Sequence, residues 1–265
     1  MALSSFKTRD DTIRLHPNFV PTLEASDDPR ALTFGATLES YAELGQVHAG
    51  AQASFLEHLG NSLIIGLAST LAAVALGTAA AYGFSRFEFR AKKDWLFFIL
   101  STRFMPPLAV VVPVLIMSRT LDLQGTHLGL IVLYTVFNLS LSVWLMKGFI
   151  DEIPRAFEEA ALVDGYSRLA AFRKIILPEA RTGMAVTAVF CLISAWNEYG
   201  FAMTLNASGA TTVPAYFAGL QGNIAGMPWP QIAAGALIFV APIVLFTVLV
   251  RRHLLRGMTF GTIKQ

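Results

Sequence analysis

Glu159-Ala160-Ala161-Leu162-Val163-Asp164-Gly165, followed by Ile175, Leu177 and Pro178, is a short polar run set between long apolar ones. Its local chemistry predicts two small helices with a tight turn between them. Pro154 suits a first helical position, where its missing N–H leaves nothing unpaired. Phe157, Ala160, Ala161 and Val163 fall on one apolar side. Asp164-Gly165 is a stop, because glycine adopts positive φ without a Cβ clash. Ser167 can cap the next helix, whose apolar stripe is Leu169, Phe172, Ile175 and Ile176, and Pro178 is expected to end it. On this evidence alone the plainest structure is a helical hairpin packed on its own protein.

The surroundings change that reading. The 265 residues are 54% hydrophobic and 14% charged, with a mean hydropathy of +0.56. Soluble domains carry about 25% charged residues. A soluble core cannot absorb so much apolar surface, so the bilayer is the solvent expected for most of the chain. A net charge of +2 with no basic cluster interleaved with aromatics gives no sign of nucleic acid. The single cysteine, Cys191, excludes an intramolecular disulfide.

Outward from the opening stretch lie five apolar segments, at residues 60–84, 95–117, 127–150, 183–205 and 232–250. Each approaches the roughly 20 residues that cross a hydrocarbon core. The expected fold is an all-α polytopic membrane protein with five transmembrane helices and small cytoplasmic helices between them. In the first segment Ser69, Ala73, Gly77 and Ala81 recur every four residues, a stripe that admits a close neighbour helix. The second contains Arg103 and the pair Pro106-Pro107, and a proline pair must break the helix. Asn138, Ser140 and Ser142 lie mid-way along the third, and Trp196-Asn197-Glu198-Tyr199 lies in the fourth. Pro242 predicts a kink in the fifth. Residues 1–58 are polar, with eight acidic against four basic side chains, and are expected to be irregular apart from short helices near 38–44 and 51–59. Residues 206–231 look like loop.

Orientation follows from lysine and arginine. One set of loops holds fourteen of them, from Arg86 through Lys147 and Arg181 to Lys264, and the other set holds five. The positive-inside rule places the fourteen in the cytoplasm. The expected layout is an external segment at 1–58, a membrane domain at 59–250 with a cytoplasmic polar loop at 151–182, and a cytoplasmic C-terminal tail at 251–265.

Glu159-Ala160-Ala161, Gly165, Ile175, Leu177 and Pro178 match, at every fixed position, the EAA loop of bacterial ABC importer permeases. Ser5-Phe6-Lys7, Leu38-Glu39-Ser40-Tyr41, Asn61-Ser62, Met105-Pro106-Pro107, Trp196-Asn197-Glu198 and Arg256-Gly257-Met258-Thr259-Phe260-Gly261 resemble further marks of the maltose-type carbohydrate branch, closest to its second permease. That family has six spans, and the match starts just after the first, so a preceding helix is expected. The resemblance implies a bacterial inner-membrane permease subunit that imports a carbohydrate by alternating access. It implies as partners a homologous second permease, two ATPase subunits, a periplasmic solute-binding protein and membrane lipid. It also assigns Glu159, Ala160, Ala161, Asp164, Gly165, Leu177 and Pro178 to a coupling helix that docks on an ATPase subunit.

The residues themselves set the remaining expectations. No G-x-x-x-x-G-K-[ST] loop is present, so ATP and magnesium are expected on the partner subunits and no cofactor on this chain. Ionisable groups inside a membrane are costly, which makes Arg103 and Glu198 candidates for a solute path along with Asn138, Asn197 and Tyr199. Helix–helix hydrogen bonding is the alternative use of the same side chains. The five histidines are scattered and predict no metal site, and no nucleophile–base pair is recognisable, which leaves an intramembrane enzyme without a catalytic constellation. Permeases for a polyol phosphate or polyamine, or a structural membrane protein, are the other readings.

Overall fold

A computed structural model describes residues 1–13, 18–22, 32–46, 53–206, 208–220 and 227–259, with backbone alone at 108 and 252–259. In chain order the elements are a 3-10 turn Ser4–Phe6, α1 Arg9–Ile13, β1 Val20–Thr22, β2 Thr33–Gly35, α2 Glu39–Glu43 and α3 Phe55–Arg86. Then come α4 Lys92–Ser101, a 3-10 turn Thr102–Phe104, α5 Pro107–Thr120 and α6 His127–Asp151. The polar loop holds α7 Arg155–Val163, α8 Arg168–Ala171, a π-helical turn Phe172–Ile176 and α9 Leu177–Glu179. Last are α10 Arg181–Trp196, α11 Gly200–Leu205, α12 Val213–Gly219 and α13 Trp229–Thr259.

Among the described residues three helices are long and apolar enough to cross a membrane: α3, α6 and α13 from Trp229 to Arg251. Two bent pairs raise the count to five if each is taken as one span. The first joins Lys92–Phe104 to Ala109–Thr120 at 95°. Its break falls where the proline pair demands it: Pro106 is extended at ψ 125° and Pro107 opens α5. The second joins Arg168–Glu179 to Arg181–Trp196 at 71°.

Four expectations need correction. The helix near 51–59 and the first span are one helix from Phe55 onward; at about 1.5 Å per residue its 32 residues reach about 48 Å, well beyond the hydrocarbon. Residues 51 and 52 lie outside the described set. The segment at 183–205 is not one helix, because α10 stops at Trp196 and Asn197–Tyr199 separates it from α11. The N-terminal region is not all irregular or helical: β1 and β2 pair in parallel, Val20 opposite Thr33 and Thr22 opposite Gly35. The stretch at 206–231 contains α12, with Pro214 in its first turn, and the helix expected at 232–250 continues to Thr259 with Pro242 inside it. Phe260 and Gly261 of the terminal motif, and residues 207 and 221–226, are outside the described residues.

The chain divides into two compact units. One comprises Met1–Leu63 with Tyr199–Val244. Its core is Leu44, Phe55, Val213, Tyr216 and Ala234. Phe55 stacks on Phe217 at 5.9 Å, and the Thr211 carbonyl faces His58 Nδ1 at 3.1 Å and accepts from Asn61 Nδ2 at 3.0 Å. These contacts draw the first turns of α3 to α12, and this unit takes in α3 as far as Leu63.

The other unit comprises Ile64–Glu198 with Leu245–Gln265. Here the small-residue stripe does what its spacing predicts. Ser69, Ala73 and Ala81 are fully buried, and a Cβ on Gly77 would sit 2.1 Å from Ser142 Oγ on α6. Thr135 Oγ1 of α6 donates to the Ser69 carbonyl at 3.4 Å. Along the same face α6 also meets α10, where a Cβ on Gly183 would strike the Phe149 ring at 2.4 Å. Lipid offers no hydrophobic drive between helices, so this close approach is what holds the three together.

Candidate functional site

The polar loop hangs from the ends of α3 and α6. Ile176 and Ala180, buried at 0% and 2% exposure, enter a core with Ala81, Tyr82, Met146 and Ile150. The turn after α7 is a Schellman closure: Tyr166 N donates to the Ala161 carbonyl at 3.0 Å and Gly165 N to the Leu162 carbonyl at 3.1 Å. Gly165 has φ +85°, and a Cβ there would meet nothing within 4 Å. Its need for glycine within this chain is therefore conformational. Ser167 caps α8, its hydroxyl accepting from Ala170 N at 3.2 Å, as its position predicts.

Two local expectations fail. Pro178 does not end the helix. Its missing N–H is met upstream by the π turn, in which Leu177 N reaches back to the Phe172 carbonyl, and the helix breaks at Ala180. The apolar side of α7 is also not its inner side. Ala161 is buried, but Phe157 is 51% and Val163 87% exposed, and Ala160 is exposed too. Tyr166 and Leu169 continue this open apolar surface across the turn. Glu159 and Asp164 are exposed beside it, and Glu159 has no hydrogen-bond or ion-pair partner among the described residues. Leu177 is half-buried and Pro178 exposed.

The buried position on α7 belongs instead to Glu158, which the sequence reading passed over. It is 5% exposed. One carboxylate oxygen accepts from the Tyr82 hydroxyl; the other accepts from Arg86 Nε at 3.1 Å. Arg86 also donates through NH2 to the Ile153 carbonyl at 2.8 Å, closing the turn that leads into α7. Ser85 donates to Asp151 at 2.6 Å, Lys147 holds the other oxygen of Asp151 at 2.5 Å, and Arg155 donates to the Ser85 carbonyl at 3.3 Å. Tyr82 lies against Phe172 at 4.5 Å between ring centroids, and the Arg168 guanidinium sits 5.3 Å from the Phe87 ring. Just past α3, a hydrogen bond from Lys92 holds Glu88 below its ordinary carboxylate pKa.

The intramembrane candidates separate into two groups. Arg103, at the break between α4 and α5, is exposed and donates to the Phe137 carbonyl at 3.2 Å and Ser194 Oγ at 3.3 Å. Glu198 accepts from the Tyr134 hydroxyl at 2.6 Å. Asn197 is exposed, with its amide bonded to the Ile193 carbonyl of its own helix at 2.9 Å. Asn138 is different: 2% exposed, it donates to the Cys191 carbonyl at 3.3 Å and joins α6 to α10. Ser140 and Ser142 are buried with it. These three sit in helix contacts and not on an open surface. Tyr199, 46% exposed, directly precedes α11 and belongs to the other unit. Among the described residues no group of three or more His, Cys, Asp or Glu side chains converges as a metal site.

The sequence family described as the binding-protein-dependent transport system inner membrane component matches residues 73–260, which include the whole polar loop. The trehalose transport system permease protein SugB of Mycobacterium tuberculosis is 36% identical over 212 residues, covering 79% of this chain and 77% of that protein. The trehalose/maltose transport system permease protein MalG of Thermococcus litoralis is 31% identical over 232 residues, covering 87% and 82%. Among solved structures, a chain of a bacterial ABC transporter involved in import of the acidic polysaccharide alginate superposes with a TM-score of 0.71 at 19% identity. That match covers 95% of this chain and 87% of the other, and shows a shared fold. With three to five candidate spans and a loop carrying the EAA pattern, the chain belongs to the binding-protein-dependent transport system inner membrane components, as a permease subunit of an ABC importer.

Proposed function

We propose that this permease imports a carbohydrate and that α7 with its turn is the surface on which a separate ATPase subunit docks. The observation that carries the docking surface is the inversion of α7. Phe157, Val163, Tyr166 and Leu169 are exposed apolar side chains around Glu159, which has no partner among the described residues, at the end of the bundle richest in lysine and arginine. Such a surface covers itself on a partner. Glu159 supplies a charge for a basic group there, and the open Cα of Gly165 allows a partner's backbone close. ATP and magnesium belong to that partner. Closure of two ATPase subunits then rocks the spans of this chain against a homologous second permease, alternating access to the solute. Residues 1–58 face the outside, where a solute-binding protein delivers its ligand, and the C-terminus lies in the cytoplasm. The names of SugB and MalG support a sugar as cargo, with Arg103, Asn197 and Glu198 offering donors and an acceptor to hydroxyls.

The docking test is co-purification. Val163→Asp and the pair Glu159→Lys with Gly165→Asp are expected to cut recovery of the ATPase subunit with the permease at least tenfold while the chain still inserts. Undiminished recovery would sink the docking surface. The cargo test is uptake of labelled trehalose and maltose in cells with and without the gene. Uptake of neither sugar, with another solute taken up in a gene-dependent way, would overturn the carbohydrate reading.

A further inference from the structure

Glu158 is adjacent to the docking surface but does not contribute to it. Its side chain is 6% and that of Arg86 4% exposed, and the two charges meet where α3 ends against α7. Removing two charges from water is costly unless their remaining hydrogen-bonding capacity is used. Here it is used: both carboxylate oxygens have donors, one of them the Tyr82 hydroxyl, and the guanidinium makes a second bond to the Ile153 carbonyl. Arg86 thus holds the turn into α7 at both Ile153 and Glu158. Ser85, one residue away, ties to Asp151 at the end of α6 and offers its carbonyl to Arg155. Packing alone would let α7 slide over its neighbours. A fork of directed, desolvated bonds does not permit that without breaking a charge pair.

We infer that the Tyr82–Arg86–Glu158 cluster is the mechanical tie by which displacement of α7 reaches α3, making Glu158 a positioning residue for coupling. This rests on α7 being the docking element. Glu159 then meets the ATPase, while Glu158 passes the motion inward. Because α3 runs from Phe55 to Arg86 without a break, a displacement delivered at Arg86 enters one continuous helix.

The test is hydrogen exchange on the assembled complex in lipid nanodiscs, with and without magnesium ATP and vanadate. In the unaltered complex, peptides covering 155–166 and 78–86 should both change protection when nucleotide is trapped. In Glu158→Gln, 155–166 should still be protected by the ATPase subunit and still respond. The response of 78–86 should fall on the order of tenfold, the size of a typical coupling between sites. Tyr82→Phe, which keeps the ion pair, should show a smaller loss in the same segment and carries the test if Glu158→Gln does not accumulate. Equal responses of both segments in the variants would overturn the tie, as would silence of 78–86 in the unaltered complex. Loss of the ATPase subunit from Glu158→Gln would also overturn it, since the residue would then only shape the docking surface. Failure of the docking surface itself is a separate result, read from Val163→Asp and the Glu159→Lys, Gly165→Asp pair.

Discussion

Glu158 and Glu159 are neighbours in sequence with opposite fates. One is buried against Arg86 and Tyr82, and the other is exposed without a partner among the described residues. A helix rotates by about 100° per residue, so one step is enough to cross from the inner to the outer face. The EAA pattern picked out Glu159 and passed over Glu158, and helical periodicity gave the wrong sign for the faces. The usual inference sends apolar side chains inward, and on α7 Phe157 and Val163 point out. What turns the helix over is Arg86, 72 residues earlier, a pairing no local pattern contains. Gly165 was legible for the opposite reason: a positive φ at a helix end is a local demand that only local sequence meets. Its consequence is testable. Gly165→Ala meets no atom within 4 Å but must hold φ near +85°, at a cost of roughly 1–2 kcal/mol. Amide exchange at Tyr166, whose N–H the turn ties to Ala161, should rise about tenfold. Unchanged exchange would show that the turn does not need its glycine.

At the scale of elements, the spans were legible where composition alone decides them and not where geometry does. The stripe Ser69, Ala73, Gly77, Ala81 announces a close neighbour, but not that the neighbour is α6 at Ser142. Gly77→Ala should therefore be costly, by about 1–3 kcal/mol or more from overpacking, as its Cβ would fall 2.1 Å from Ser142 Oγ. Adding Ser142→Gly should recover most of that, less about 1 kcal/mol for a glycine inside a helix. Gly148→Ala, with nothing within 4 Å of its Cβ, should be neutral or stabilising. Thermal unfolding of the three variants in detergent checks the order, and a benign Gly77→Ala would mean α3 and α6 are further apart. The break in the second span was written in Pro106-Pro107. The break after Trp196 was not: Asn197-Glu198-Tyr199 has no proline or glycine to announce it.

At the scale of the whole molecule, composition settled the solvent, and the EAA loop with the family match over residues 73–260 settled the family. The assignment of polar residues to a path was less legible, because a buried asparagine joining two helices and an exposed one look alike in sequence. Asn138 and Asn197 show both outcomes.

The π turn at Phe172–Ile176 bears on the molecule in a further way. Such a turn carries one residue more than the α-helix that could replace it, a spare thread in a screw. Deleting exposed Arg173 should let the segment relax to α-geometry. Four residues at about 100° each sweep the arc that the five of the π turn sweep, so Leu169, Tyr166 and the cap at Ser167 would keep their aim relative to α10. A one-residue deletion here is thus expected to be silent, with the permease inserted and its ATPase recovery unchanged, whereas the same deletion inside α10 would turn everything before it by about 100°. Loss of recovery on deleting Arg173 would show that the extra residue has a part in aiming the loop.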